Sequence, residues 1–327
     1  MKAIAQARIL SIWPRRSSGW LLAVCLGWLG GCASVDDNRE PRAQALAAGV
    51  YWLPGSGGAA NPHNLGRIGN AGFIVGETGV IVIDTGTSYA HGRALLAAIR
   101  RVTDKPVRLA LLTHVRPEFL FGGEAFREQG IPVRAHRRTA RLMASRCETC
   151  LTRLQQDVGD APMRGTLLHR PDQEFDATHE IDLIGRLVQV LYFGHSSGPG
   201  DVAVLDKRSG VLFAGGLLDA QRVPDIQDSN LDGWKRALEA LNELQPSMVV
   251  PGHGAAMAAA DLIPAVASYL RQLEARVRAL VDSGASLIDV VDASELPGFE
   301  SWDQYEIIHP RNASIAFLRF ERELMFK

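Results

Sequence analysis

The stretch LLTHVRPEFLFGG, residues 111–123, decides the fold of this chain more than any other part of it. Its apolar start ends a strand predicted over residues 107–113, and His114 follows at once in a loop that reaches Gly122 and Gly123. Loops at the ends of sheet strands present functional groups from a rigid scaffold. The stretch therefore predicts a site at a strand end, with His114 as its first candidate residue.

Four further stretches combine an apolar run with a glycine turn. They are VIDTG at 82–86, FGHSSG at 193–198, VLFAGG at 211–216 and PGHG at 251–254. Three of them place Asp84, His195 and His253 beside glycines. A single histidine in such a turn is usually structural, so only the recurrence of the pattern indicates a shared site.

Strand and helix patterns alternate from residue 49 onward, which is typical of an α/β protein. Apolar or β-branched runs predict strands, and apolar residues at helical spacing predict helices. The predicted strands lie at 50–53, 72–75, 80–83, 107–113, 187–193, 201–205, 211–214 and 248–250, and the predicted helices at 90–102, 138–158, 232–244, 262–281 and about 312–324. We expect one domain over residues 49–285 and a helical extension over 286–327 that packs on it.

The composition is that of a globular chain without a charge bias. The 327 residues are 46% hydrophobic, and 35 Lys and Arg face 36 Asp and Glu, for a net charge of −1. Nucleic-acid-binding proteins usually carry a basic field. A nucleic-acid partner is therefore not expected.

The first 31 residues differ from the rest of the chain. They contain four basic residues and no acidic one, and an apolar run over residues 20–29 ends in LGGC at 29–32. The run is too short to span a bilayer but suits the core of a signal peptide. The ending looks like a bacterial lipobox, with Cys32 as the lipidated residue. An ordinary secretory signal or a short buried segment are the alternatives.

These features predict a protein of the bacterial cell envelope. A lipoprotein signal over 1–31 would leave Cys32 as an anchor, followed by a polar tether that ends at residue 48. Ala33 and Ser34, with no aspartate beside the cysteine, resemble outer-membrane sorting on the periplasmic side. The anchor makes the membrane one expected partner.

Only one cysteine pair remains after the signal and the lipidated residue. Cys147 and Cys150 are separated by two residues within the predicted helix over 138–158. In an oxidising compartment a local disulfide is the first interpretation, and a redox-active pair or half of a metal site are the others.

Taken together and in this order, the five stretches resemble those of the metallo-β-lactamase superfamily over about residues 49–255. The resemblance implies a four-layer αβ/βα sandwich with a metal site at the edge between its two sheets. In hydrolytic members two zinc ions activate a bridging hydroxide, which requires imidazoles and carboxylates around each ion. The fold is implied more firmly than an activity, because this superfamily hosts many reactions.

The ligand positions implied by the resemblance are only partly kept. The family motif Thr-His-x-His-x-Asp-His reads THVRPEF here, at residues 113–119, and the bridging aspartate of a later motif is a glycine. The kept positions are His114, His195 and His253, and the altered ones are Arg116, Glu118, Phe119 and Gly216.

Arg116 is the most consequential change, because a guanidinium stays protonated and offers no lone pair to a metal. We expect Arg116 to pair with Glu118 and to replace part of the metal's positive charge. The two-zinc mechanism should then be absent.

One metal ion, such as zinc, remains an alternative, with His114, His195, His253 and Glu118 as its ligands. The aspartate at position 84 then supports the site from behind or stabilises its own turn, as the resemblance implies.

The C-terminal stretch IIHPRNA at 307–313, with the helix after it, resembles exported proteins of this fold that are associated with quinoprotein dehydrogenase systems. Two function classes follow from the sequence. The first is a hydrolase-like protein with a degraded two-zinc site that binds a small molecule or an envelope protein. The second is a mononuclear metal-dependent hydrolase of a small ester, lactone or related substrate.

Overall fold

The computed structural model describes residues 40–326. The predicted signal peptide and the candidate lipidation site Cys32 lie outside these residues. Within the described range, no helix combines the length and the apolar character that crossing a bilayer requires.

A seven-stranded sheet forms the first half of the fold. Its strands are, in spatial order, β1 (Gln44–Ala47), β2 (Val50–Leu53), β3 (Ala71–Val75), β4 (Val80–Ile83), β5 (Val107–Leu112), β6 (Val133–His136) and β7 (Gln173–Phe175). The pairs from β1 to β4 are antiparallel, and those from β4 to β7 are parallel. Strand β1 extends this sheet into the segment that the sequence assigns to the tether, because its Ala-rich pattern carries little strand signal.

A five-stranded sheet forms the second half. Its spatial order is β12 (Met248–Pro251), β11 (Val211–Gly215), β10 (Val202–Asp206), β9 (Val188–Tyr192) and β8 (His179–Ile181). Only β11 and β12 are parallel.

Helices cover the outer face of each sheet. The helices are α1 (Tyr89–Val102), α2 (Pro117–Leu120), α3 (Gly123–Arg127), α4 (Arg137–Val158), α5 (Asp160–Met163), α6 (Leu231–Leu244), α7 (Ala259–Asp282), α8 (Leu287–Ala293) and α9 (Tyr305–Met325), with a short 3-10 helix at Pro297–Phe299. The C-terminal helices α8 and α9 pack on α7 and on each other, and side chains such as Val290 and Phe317 join the hydrophobic cluster that includes residues of the second sheet.

Alternation along the strands builds the four layers. In β4, Val80 and Val82 face helices α1 and α3, whereas Ile81 and Ile83 face the second sheet. Side chains of a strand alternate between faces, so a strand buried on both sides is apolar throughout. Ile81 and Ile83 meet β10 and β11 residues such as Val204 and Phe213 in the central layer. The predicted αβ/βα sandwich is confirmed.

The expected disulfide is absent, because Cys147 and Cys150 are free thiols one turn apart on α4. Cys147 lies buried under the helix, and burial, together with the neighbouring Cys150, raises the pKa of its thiol to about 12. A thiol held protonated in this way is a poor nucleophile, so Cys147 contributes to the packing of the helix.

Candidate functional site: a polar cleft between the two sheets

A cleft of about 220 Å³ lies at the strand ends where the two sheets meet. Loops after β5, β9, β11 and β12 form its floor, and the start of α9 closes one wall. The lining residues used below are His114, Val115, Arg116, Glu118, Leu142, Ser197, Gly198, Asp201, Gly216, Asp219, Arg222, Asp225, Asp228, His253, Ile307 and Arg311. Three of the candidates, His114, Glu118 and His253, therefore meet in one cavity.

Asp84 supports His114 from behind the cleft. The backbone N–H of Thr113 donates to Oδ1 of Asp84 at 2.8 Å, and its hydroxyl donates to Oδ2 at 2.8 Å. Nδ1 of His114 lies 2.7 Å from the same hydroxyl. Burial raises the pKa of Asp84 to about 7, against the hydrogen bonds from Thr113. Asp84 thus holds the turn and orients His114 without lining the cleft itself.

His253 lies between two carboxylates, and we call Asp219, His253 and Glu118 the His253 triad. Nδ1 of His253 is 2.8 Å from Oδ1 of Asp219, and its Nε2 is 3.0 Å from Oε1 of Glu118. Burial alone would lower the pKa of His253, but the two carboxylates outweigh it and raise the pKa. Burial would raise the pKa of Glu118, yet the bond and charge of His253 bring it to about 2. Each ring nitrogen of His253 therefore faces a carboxylate, an arrangement that favours the protonated imidazolium.

Arg116 does not pair with Glu118, contrary to our expectation. Its Nη1 lies 3.2 Å from Oδ2 of Asp225, and its Nη2 donates to the backbone oxygen of Asp225 at 3.3 Å. Arg311 of α9 reaches the same carboxylate at 2.6 Å. The expectation was wrong because Asp225 and His253 come from loops distant in sequence, and each offers a better-placed partner.

Phe119 and Gly216 fill the altered ligand positions in opposite ways. The buried ring of Phe119 packs against His114 and His253, with centroid distances of 4.3 and 5.2 Å. A Cβ atom on Gly216 would lie 2.8 Å from Cδ2 of His114 and 2.9 Å from Oδ2 of Asp201. Phe119 thus inserts an apolar wall, whereas Gly216 leaves space that His114 and Asp201 share.

Asp201 is a site residue that the sequence reasoning missed. It is 6% exposed, its Oδ2 accepts from the Ser197 hydroxyl at 2.7 Å, and burial raises its pKa to about 6. We call Asp201, Gly216 and His114 the Asp201 corner. Asp219 and Asp225 were missed as well. The available signal was an aspartate shortly after a glycine turn at a strand end, as in GPGD at 198–201.

His195 does not join the other histidines. Its side chain is exposed, and its Nε2 donates to the backbone oxygen of Asp228 at 2.6 Å. It is not among the residues that line the cleft.

These contacts do not fit a zinc ion. Both ring nitrogens of His253 are bound to carboxylates, Nε2 of His195 is bound to a carbonyl, and the fixed charge of Arg116 lies in the same cleft. Zinc requires deprotonated nitrogen or oxygen donors that converge at about 2 Å. Among residues 40–326, no group of three or more His, Cys, Asp or Glu side chains is arranged to hold a metal.

Comparison with solved structures supports the fold. A metallo-β-lactamase from Pontibacter korlensis is 22% identical with a TM-score of 0.58, covering 71% of this chain and 99% of that one. The metallo-β-lactamase FIM-1 from Pseudomonas aeruginosa, solved in a mono-zinc form, is 20% identical with a TM-score of 0.56, covering 71% and 96%. These likenesses concern the fold.

A curated relative matches a short part of the chain. The linear primary-alkylsulfatase of a Pseudomonas species is 37% identical over 54 residues, which are 16% of this chain and 10% of that protein. The model of the metallo-β-lactamase superfamily matches residues 65–253, more than half of the chain. The chain therefore belongs to the metallo-β-lactamase superfamily.

Proposed function

We propose that this hydrolase-like protein is a lipid-anchored member of the cell envelope that binds a small ligand in its cleft without a metal ion. The observation that carries the proposal is the His253 triad, in which both nitrogens of a family ligand position are already bound to carboxylates. A zinc ion would have to displace at least one of these bonds and to approach the guanidinium of Arg116.

The alternative function is a mononuclear metal-dependent hydrolase, since one solved relative has a mono-zinc form. The experiment distinguishes the two. Full-length protein, purified in neutral detergent, is analysed for bound metal by mass spectrometry. We expect no stoichiometric zinc and no loss of stability on chelation. Stoichiometric zinc that disappears in His114→Ala and in His253→Ala would overturn the proposal.

The anchor is tested separately from the cleft. We expect the wild-type chain to fractionate with membranes and Cys32→Ser to lose this association, because one lipidated residue supplies the apolar chains. Cys147→Ser is the matched control, since its thiol is buried in the folded part. A Cys32→Ser protein that still fractionates with membranes would contradict lipid anchoring.

A further inference from the structure

The charges that line the cleft are almost completely paired. Arg116 and Arg311 share Asp225, Arg146 pairs with Asp228 at 2.6 Å, and Arg222 pairs with Asp303. His253 bridges the other two carboxylates of its triad. Within the described part of the chain, Asp201 is the carboxylate of this cleft that forms no ion pair. Asp201 thus lacks a direct cationic partner, and the charge of Arg116 acts on it only through space.

Two glycines make room for this carboxylate. A Cβ atom on Gly198 would lie 2.3 Å from Oδ1 of Asp201, and one on Gly216 would lie 2.9 Å from Oδ2. Any larger side chain at either position would push the carboxylate away. The backbone is therefore built around Asp201, whose Ser197 contact satisfies only part of its four lone-pair sites.

His114 provides a second, independent acceptor at the same place. With Asp84 ionised, the Thr113 hydroxyl gives its single proton to Asp84 and accepts from Nδ1–H of His114. Nε2 of His114 then carries a lone pair. The side chain is only 3% exposed and lines the cleft, and this nitrogen forms no hydrogen bond to any residue of the described range.

We propose that the Asp201 corner binds the ammonium group of a small organic amine, with Asp201 as its counter-ion and Nε2 of His114 as a further acceptor. The inference rests on the proposed metal-independent function and specifies its ligand. A monocation gives Asp201 a direct ionic partner, and its N–H groups match acceptors that the protein leaves open. Val115, Leu142 and Ile307 line the same cleft and offer apolar contacts to a short alkyl substituent.

The test uses full-length protein in neutral detergent at about pH 8, where Asp84 and Asp201 are both ionised. Isothermal titration compares n-butylammonium with butyrate and butyramide, which have the same chain length and a negative or no charge. We expect only n-butylammonium to bind. Asp201→Asn should weaken its affinity by about tenfold or more, because a buried charge pair loses one partner.

Gly216→Ala supplies a second variant that does not alter any charge. Its added methyl group would lie between His114 and Asp201 and should reduce amine binding as strongly as Asp201→Asn. Gly298→Ala is the matched control, because a Cβ atom there meets no atom within 4 Å, and Asp157→Asn controls for loss of an exposed carboxylate. Both controls should bind like the wild type.

The possible outcomes distinguish a failure of the amine inference from a failure of the proposed function. If metal-free protein binds butyrate or butyramide, or none of the three probes, the ligand is not an amine. The proposed metal-independent function would then be unaffected. Amine binding that survives both Asp201→Asn and Gly216→Ala would overturn the Asp201 corner as its site. Stoichiometric zinc in the wild type would overturn the proposed function itself.

Discussion

The His253 triad and the Asp201 corner lie in one cleft, yet they treat their polar groups in opposite ways. In the triad, each nitrogen of His253 has a carboxylate partner at 3.0 Å or less. In the corner, a buried carboxylate has one hydroxyl donor, and a buried imidazole that lines the cavity has one nitrogen without a hydrogen bond to the described residues. Both regions contain a histidine that matches a family ligand position.

The difference shows what each region contributes. Buried charges that satisfy one another stabilise a fold or specify its geometry, whereas buried groups left open reduce stability unless a ligand completes them. The triad therefore acts as structure, and the corner acts as the binding end of the cleft. The following changes test this contrast, from the largest expected effect to the smallest.

His253→Ala should have the largest effect on stability. It leaves Glu118 and Asp219 buried without the cation between them, and loss of one partner from a buried ionic group costs about 3–5 kcal/mol of unfolding free energy. Urea unfolding measures the change, with His63→Ala as the control because His63 is exposed. A loss no larger than that of the control would show that the triad is not a structural element.

The triad also predicts a pH window. The pKa of His253 is raised, so its contribution is complete below the unfolded value of 6.5 and disappears as the pH rises through the folded value. The pKa of Glu118 is lowered to about 2, so its contribution is complete above 4.5 and disappears as the pH falls toward 2. The difference in unfolding free energy between wild type and His253→Ala should be greatest between these limits.

Asp201→Asn should show a different dependence on pH, with the contribution of Asp201 greatest in acid. Because burial raises the pKa of Asp201 from 3.8 to about 6, its contribution is complete below 3.8 and is lost as the pH rises through about 6. The stability of the wild type relative to the variant should therefore fall by up to about 3 kcal/mol between acid and neutral pH. Urea unfolding at several pH values gives this difference. Asp84 titrates in both proteins, so its contribution cancels from the comparison. A constant difference would show that Asp201 is not the uncompensated carboxylate of the corner.

Thr113→Val should affect both stability and ligand binding. It removes the hydroxyl between Asp84 and His114, and two buried groups then lose a partner at a cost of about 2 kcal/mol. Thr152→Val, on the exposed face of α4, is the matched control. Affinity for n-butylammonium should fall as well, because His114 loses its fixed orientation. Unchanged affinity in a destabilised protein would limit Thr113 to a structural role.

Arg116→Gln should have the smallest effect, about 1 kcal/mol or less, because Arg311 still neutralises Asp225. The control variant is Arg101→Gln, because both side chains of the Arg101–Glu40 ion pair are exposed. A loss as large as that of His253→Ala would mean that Arg116 holds the triad in place.

Many of the strands and helices were predictable because the sequence pattern that specifies them is local. The continuous β-branched run of β4 and the helical spacing of α1, α4 and α6 need only neighbouring residues to be read. The strands β1, β6, β7 and β8 and the helices α2, α3, α5 and α8 were missed. Each spans seven residues or fewer, and pairing or packing with distant segments decides its structure.

The candidate site was predictable in some of its members and not in its pairings. His114, Glu118 and His253 do line one cleft, whereas His195 turns to a backbone carbonyl. The partner expected for Arg116 was two residues away, but the actual one is 109 residues distant. Likewise, the cysteine spacing alone could not show that both thiols stay free on one helix.

By itself, the sequence determined the superfamily and the main alternating strands and helices, and it showed that Arg116, Phe119 and Gly216 offer no side-chain lone pair to a metal, because side-chain type alone decides that property. Only the tertiary structure decided which charges neutralise one another. Loops from both sheets meet at the cleft, so Asp219 and Glu118 reach His253 while Asp201 is left between two glycines without a cation. Electrostatic pairing depends on distance in space, and that distance is set by the packing of the two sheets.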